Sequence, residues 1–138
     1  VVVEDEKVAN IQQGLLVLLG IEIEDSKEDA NWLAKKISAL RIFSDEEGVM
    51  NKSITEIGGE VIVVSQFTLY AKTKKGNRPS YIKASRPEQA IPLYGLFKEE
   101  LSQLLGKKVQ SGFFGANMQV SLINDGPVTI IIDTKNKE

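Results

Sequence analysis

Apolar positions follow two periods along the chain. Gly14 to Ile21 is an almost unbroken apolar run, the pattern of a strand buried on both faces. Glu60 to Tyr70 is the strongest strand candidate. Between them, Ala30, Leu33, Ile37 and Leu40 recur at helical spacing. Ser26 offers an N-cap and acids fill the first turn, so a helix over 27–40 is predicted. Ala90, Tyr94, Phe97, Leu101 and Leu104 define a second helical face; Pro87 suits its first turn, whereas Pro92 and Gly95 weaken or kink its early part. Val1–Val3 and Val8–Ile11, flanking Asp5-Glu6-Lys7, read as a hairpin. Arg41-Ile42-Phe43 leads into a polar turn at 44–48, Val109-Gln110 reads as a short strand, and Met118–Ile123 and Val128–Thr134 as two more. The pattern predicts an α/β chain whose mixed sheet is covered by helices on one side.

Composition narrows the chemistry more than the fold. With 138 residues, 42% of them hydrophobic, one compact domain over 1–138 is expected. Cysteine and histidine are both absent. That removes thiolate nucleophiles, Ser-His-Asp and Cys-His arrangements, and Cys/His metal sites. Chemistry must then use carboxylates, hydroxyls, lysine, backbone amides or the substrate itself, and neither metal nor cofactor is expected. No signal peptide is visible, and Leu15–Leu19 with Ile21 is too short to span a bilayer. A cytoplasmic location is the expectation.

Net charge is −2, which does not suggest a general nucleic-acid binder, and no DNA partner is expected. The distribution says more than the sum. Between Ala71 and Pro87 stand six basic residues (Lys72, Lys74, Lys75, Arg78, Lys83, Arg86) and no acid. Such a stretch is either a solvated loop or a local phosphate-binding patch.

Two polar motifs end apolar segments: Ser65-Gln66-Phe67-Thr68-Leu69-Tyr70-Ala71 and Asn124-Asp125-Gly126-Pro127-Val128-Thr129. Read singly, Ser65 and Thr68 are ordinary hydrogen-bonded strand residues, and Asp125-Gly126 is a tight turn between strands. Their co-occurrence carries more. With Lys75-Gly76-Asn77-Arg78-Pro79-Ser80 and Gly112-Phe113-Phe114-Gly115-Ala116-Asn117-Met118-Gln119-Val120, in this order and spacing, they resemble the D-aminoacyl-tRNA deacylases, formerly called D-tyrosyl-tRNA deacylases. Gly14–Gly20, Leu40–Phe43 and Gly59-Glu60-Val61 support the match, which covers essentially the whole chain. Departures are Asn117, where an acid is expected, and Tyr81, where Phe is more usual. The chain resembles the family minus its first strand, which normally precedes Val1.

The resemblance implies a three-layer β/β/α sandwich working as a homodimer, with tRNA as partner and no membrane. It implies a proofreading hydrolase that cleaves the ester between a D-amino acid and the terminal ribose of tRNA. It further implies that Gly126-Pro127 is a cis pair inserted into the partner subunit's pocket. Rigid backbone there would meet an L side chain while leaving the D direction open, so specificity arises by rejection. Glycine, which has no Cβ to clash, would escape rejection.

The catalytic candidates are Ser65, Gln66, Phe67 and Thr68. Thr68 is the obvious hydroxyl, but no histidine and no adjacent lysine activates it. The preferred reading is substrate-assisted: the ribose 2′-hydroxyl positions or activates water, and backbone N–H groups around Phe67 and Thr68 stabilise the oxyanion. Phe67 or Phe114 could stack on the terminal adenine, or belong to the core. Met118 lines the pocket or packs on a strand face. Lys72, Lys74, Lys75 and Arg78 would meet acceptor-stem phosphates. A non-catalytic RNA- or aminoacyl-binding module on the same fold remains the alternative.

Overall fold

The computed structural model describes residues 1–138. Its centre is a three-stranded parallel sheet of β3 (Gly14–Leu19), β6 (Glu60–Ser65) and β7 (Gln110–Ser111), with β6 in the middle. Gly14 stands opposite Glu60 and Leu19 opposite Ser65, while Ile62 and Val63 pair with Gln110 and Ser111. Parallel neighbours require long crossovers. Helix α1 (Lys27–Ala39) lies within the first crossover and α2 (Pro87–Leu105) within the second. The central sheet is therefore parallel, not mixed. The antiparallel pairs form two separate small ribbons, β1 (Val2–Val3) with β2 (Glu6–Lys7) and β4 (Phe43–Ser44) with β5 (Met50–Lys52).

The alternation along β6 distributes its side chains to two faces. Val61 and Val63 face a core with Ala34 and Ile37 of α1 and Tyr94, Phe97 and Leu101 of α2. Ile62 and Val64 turn the other way, onto Ala9 with Ile11, Leu16 and Met118 packed around them. Phe97 is only 1% exposed, and its truncation to alanine costs about 3–5 kcal/mol.

Both predicted helices form. At the start of α1 the Asp29 carboxylate accepts from the Ser26 backbone N–H at 2.9 Å and from its hydroxyl at 3.2 Å, closing the first turn. α2 runs unbroken through Pro92, because Ala90, Tyr94, Phe97 and Leu101 bury a continuous stripe around it. Leu104 departs from that stripe and is partly exposed.

Four strand expectations change. The N-terminal hairpin turns at Glu4-Asp5, both with positive φ, so its second arm is Glu6–Lys7 rather than 8–11. β6 stops at Ser65 instead of reaching Tyr70. Gln66 donates to the Leu19 carbonyl at 2.8 Å as the last rung, and Phe67–Tyr70 then curls into one 3₁₀ turn. Neither Met118–Ile123 nor Val128–Thr134 forms a ladder. Alternating sequence supplies a strand's faces but not its partner: Val2 with Gln119 and Asp133 with Asn136 are single bridges, and Ile123 and Ile131 stand exposed. No helix is long and apolar enough to cross a membrane.

Candidate active site

The parallel sheet ends where Ser65-Gln66-Phe67-Thr68 begins. C-terminal ends of parallel strands are where α/β folds gather loops and ligands. Here the loop is a tight one. Leu69 N–H donates to the Gln66 carbonyl at 3.2 Å and Ala71 N–H to the Thr68 carbonyl at 3.1 Å. The Gln66 side-chain amide donates to Thr68 Oγ1 at 2.6 Å. Ser65 Oγ accepts from the Gly115 N–H at 3.4 Å, tying this turn to the Gly112–Val120 motif. Four candidate residues thus form one unit, and a second motif is hydrogen-bonded to it.

The aromatic candidates divide. Phe67 is 55% exposed and meets only the edge of Tyr81, with ring centroids 5.0 Å apart. Phe114 is half-buried, edge-on to Tyr94 at 5.6 Å, and Tyr94 donates its hydroxyl to the Val63 carbonyl at 3.0 Å. Phe67 is free to stack on a flat ligand; Phe114 props the sheet beneath the motif. Met118 lies across Gly112 and against the Ile62–Val64 face, so it packs in the core's second cluster.

Beyond Ala71 the chain forms an exposed hairpin. Lys72 and Ser80 exchange backbone hydrogen bonds at 2.7 and 2.9 Å. Lys74, Lys75 and Arg78 lie between them, and all four candidate cations are exposed without an ion pair. The closed base gives the cations a defined platform beside the turn.

Gly126-Pro127 lies apart, in an exposed segment whose hydrogen bonds are its own. Asn124 Oδ1 accepts from the Val128 N–H at 3.1 Å, and Asn124 Nδ2 donates to Thr129 Oγ1 at 2.8 Å. The peptide bond is cis, and Gly126 has φ +129°, which only glycine adopts readily. No hydrogen bond joins this segment to Ser65–Tyr70 within the chain.

Sequence reading missed the contact of Tyr81 with Phe67, the bond from Gly115 to Ser65, and the clasp that Asn124 makes with Val128 and Thr129 inside its motif. The clasp had a signal, an Asn heading a turn with a hydroxyl five residues on. A further acidic cleft lies behind the turn, with Asp25, Asp29 and Tyr70 among its lining. Burial pushes both the Asp25 carboxyl and the Tyr70 phenol up. Burial also works against the charge of Asp29, yet hydrogen bonds from Ser26, Thr134 and Lys135 bring its carboxyl down to about 2. Lys135 reaches Asp29 at 3.0 Å and Asp25 at 4.0 Å, and Asp29 in turn holds the ammonium charged. No group of three or more His, Cys, Asp or Glu side chains is arranged to hold a metal ion.

Comparison with known proteins agrees with this architecture. The family model described as D-Tyr-tRNA(Tyr) deacylase matches residues 1–133. A D-aminoacyl-tRNA deacylase of Flavobacterium psychrophilum is 67% identical over all of this chain and 92% of its own length. One from Parabacteroides distasonis is 62% identical with the same coverage. Among solved structures, one described as c-Myc DNA Unwinding Element Binding Protein superposes with a TM-score of 0.86 at 41% identity, covering 94% of this chain and 87% of its own. A probable eukaryotic D-amino acid tRNA deacylase has the same fold, with a TM-score of 0.71 at 17% identity over 84% and 83% of the two chains. These matches place the chain among the hydrolases that act on aminoacyl-tRNA. It belongs to the D-Tyr-tRNA(Tyr) deacylase family.

Proposed function

We propose that this enzyme removes D-amino acids from tRNA by hydrolysing the ester to the terminal ribose, and removes glycine likewise, while sparing L-aminoacyl-tRNA. The observation that carries the reading is the Ser65–Tyr70 turn seated directly beside an exposed basic hairpin. The hairpin suits phosphates of the acceptor end, and the neighbouring exposed Phe67 suits its unpaired base. The chain supplies no imidazole or thiol, so the proposed attack is by water positioned by the ribose 2′-hydroxyl. The Phe67 and Thr68 N–H groups stabilise the developing oxyanion.

Chirality is assigned to Gly126 and Pro127. The segment is exposed in one protomer and its own hydrogen bonds hold it in shape, which suits insertion into the pocket of a second copy. Rigid backbone rejects an L side chain more sharply than an adaptable apolar pocket does. In this reading the enzyme is a cytoplasmic, homodimeric proofreading hydrolase with a three-layer sandwich fold that needs neither metal nor cofactor.

The test is parallel deacylation of D-Tyr-tRNA, L-Tyr-tRNA and Gly-tRNA by a catalytic amount of metal-free enzyme. Release from the D and glycyl esters with the L ester intact is expected. Resistance of Gly-tRNA would overturn the steric account. A second reading, a nucleic-acid- or aminoacyl-binding module, draws support from the 41%-identical structure described as a DNA-element binder. Protection of the D ester without turnover would establish that reading instead.

A further inference from the structure

Gly20 follows β3 immediately and faces the turn that ends β6. A Cβ placed there would lie 3.0 Å from the Tyr70 ring, 3.2 Å from the Gln66 carbonyl oxygen and 3.2 Å from Leu69 Cβ. Such separations are tighter than nine in ten real Cβ contacts, so a neighbour must give by a few tenths of an ångström. Gly20 is not in the left-handed region, so space rather than torsion demands glycine.

The three neighbours differ in what they can do. Tyr70 lines a cavity of about 50 Å³ together with Gly20, Leu19, Asp25, Leu33 and Phe97 among others, so its ring has room to move. The Gln66 carbonyl and Leu69 Cβ cannot, because they are joined through Phe67 and Thr68. The same Gln66 is fixed from the other side by its N–H bond to Leu19, one residue before Gly20. A methyl group at position 20 would therefore lift the turn rather than bend one side chain.

We propose that Gly20 is a positioning residue for hydrolysis. Its missing side chain lets Gln66–Tyr70 close onto the end of β3 and sets where the Phe67 and Thr68 N–H groups point. This rests on the reading above that those N–H groups face the oxyanion. Rates are sensitive to such placement: a shift of about 1 Å can cost on the order of 100-fold.

The experiment compares the parent with Gly20→Ala and Gly20→Val, measuring kcat and KM for D-Tyr-tRNA, Tm, and exchange of the Gln66 amide. Gly95→Ala serves as control, since that helical glycine is exposed and has nothing within 4 Å of an added Cβ. Gly20→Ala should lower kcat roughly tenfold with KM within twofold, because the basic hairpin is untouched. Gly20→Val should fall further, Gln66 should exchange faster, and Gly95→Ala should match the parent. A folded Gly20→Ala with parental kcat, or a loss seen only in KM, overturns the proposal. Should Gly20→Ala not fold, the same methyl is read in the Tyr70→Ala background, where the ring contact is gone. The double variant should still turn over several-fold more slowly than Tyr70→Ala, and equality overturns the proposal. A parent without turnover overturns the deacylase reading and this one with it; an active parent beside an unchanged Gly20→Ala overturns only the placement.

Discussion

Gln66 donates its side-chain amide to the hydroxyl oxygen of Thr68 across 2.6 Å, bridging Phe67. The contact braces the turn but activates nothing, because a neutral amide donor draws no proton from the hydroxyl. A nucleophilic threonine needs a base at that place. Thr68→Val should therefore keep kcat within roughly tenfold of the parent, since the backbone N–H survives. Removing a true nucleophile costs on the order of 10⁴ to 10⁶. A single-turnover assay on D-Tyr-tRNA reads the difference, and a loss in the larger range would return Thr68 to the attacking role.

In the proposed mechanism the substrate itself takes the place of a histidine or cysteine base. A D-aminoacyl-tRNA whose terminal ribose lacks the 2′-hydroxyl should be cleaved on the order of 100-fold more slowly or worse, the usual weight of one general acid–base group. Binding of that analogue should change little. Equal rates for the two substrates would dispose of substrate assistance.

Lys74, Lys75 and Arg78 stand exposed between the paired residues Lys72 and Ser80. Substrate binding should accordingly weaken as salt rises, by about one power of salt concentration for each phosphate contacted. Lys74→Ala/Lys75→Ala should reduce that slope by about two and raise KM while sparing kcat. A slope that the double variant leaves unchanged would place the tRNA elsewhere.

Asp25 and Asp29 should respond oppositely to neutralisation. Asp29 is held at about 2 in the fold, below its ordinary range, so its charge stabilises the native state at neutral pH. That contribution fades as pH falls from about 4 toward 2. Asp25 is raised by burial, so its charge opposes folding at neutral pH and the cost vanishes in acid. Asp29→Asn should lower Tm at pH 7 and Asp25→Asn should raise it, the Asp25 difference closing below about pH 4 and the Asp29 difference only near and below about pH 2. Thermal melts across that range check the pair; equal signs for the two variants would contradict it.

The helices were legible by their period, and β3 and β6 by their unbroken apolar runs. Ala34 and Ile37 on α1 and Tyr94, Phe97 and Leu101 on α2 are buried as their spacing requires. What escaped is what needs a partner. The end of β6 at Ser65 is set by where β3 runs out, and nothing in Phe67–Tyr70 announces it. Met118, Val120 and Leu122, and again Val128, Ile130 and Ile132, alternate as a strand would but meet no ladder, and pattern alone cannot supply one. The catalytic candidates were legible as motifs, through resemblance. That Ser65 answers Gly115, or that Phe67 meets Tyr81, depends on distances along the chain that no local pattern spans.

The central place of β6 has a kinetic meaning. Its register sets Glu60 beside Gly14 and Ile62 beside Gln110, so each neighbour comes from more than forty residues away in the chain. Each ladder must close its own large loop before it returns any free energy, and closure of such loops slows folding. The Ser65–Tyr70 turn hangs from the last rung of the first ladder, the Gln66–Leu19 bond, and touches the motif that follows β7. During synthesis the turn emerges long before its supports are complete. The chain should therefore pass from no activity to full activity in a single late step, once the segment after β7 has reached Ser65.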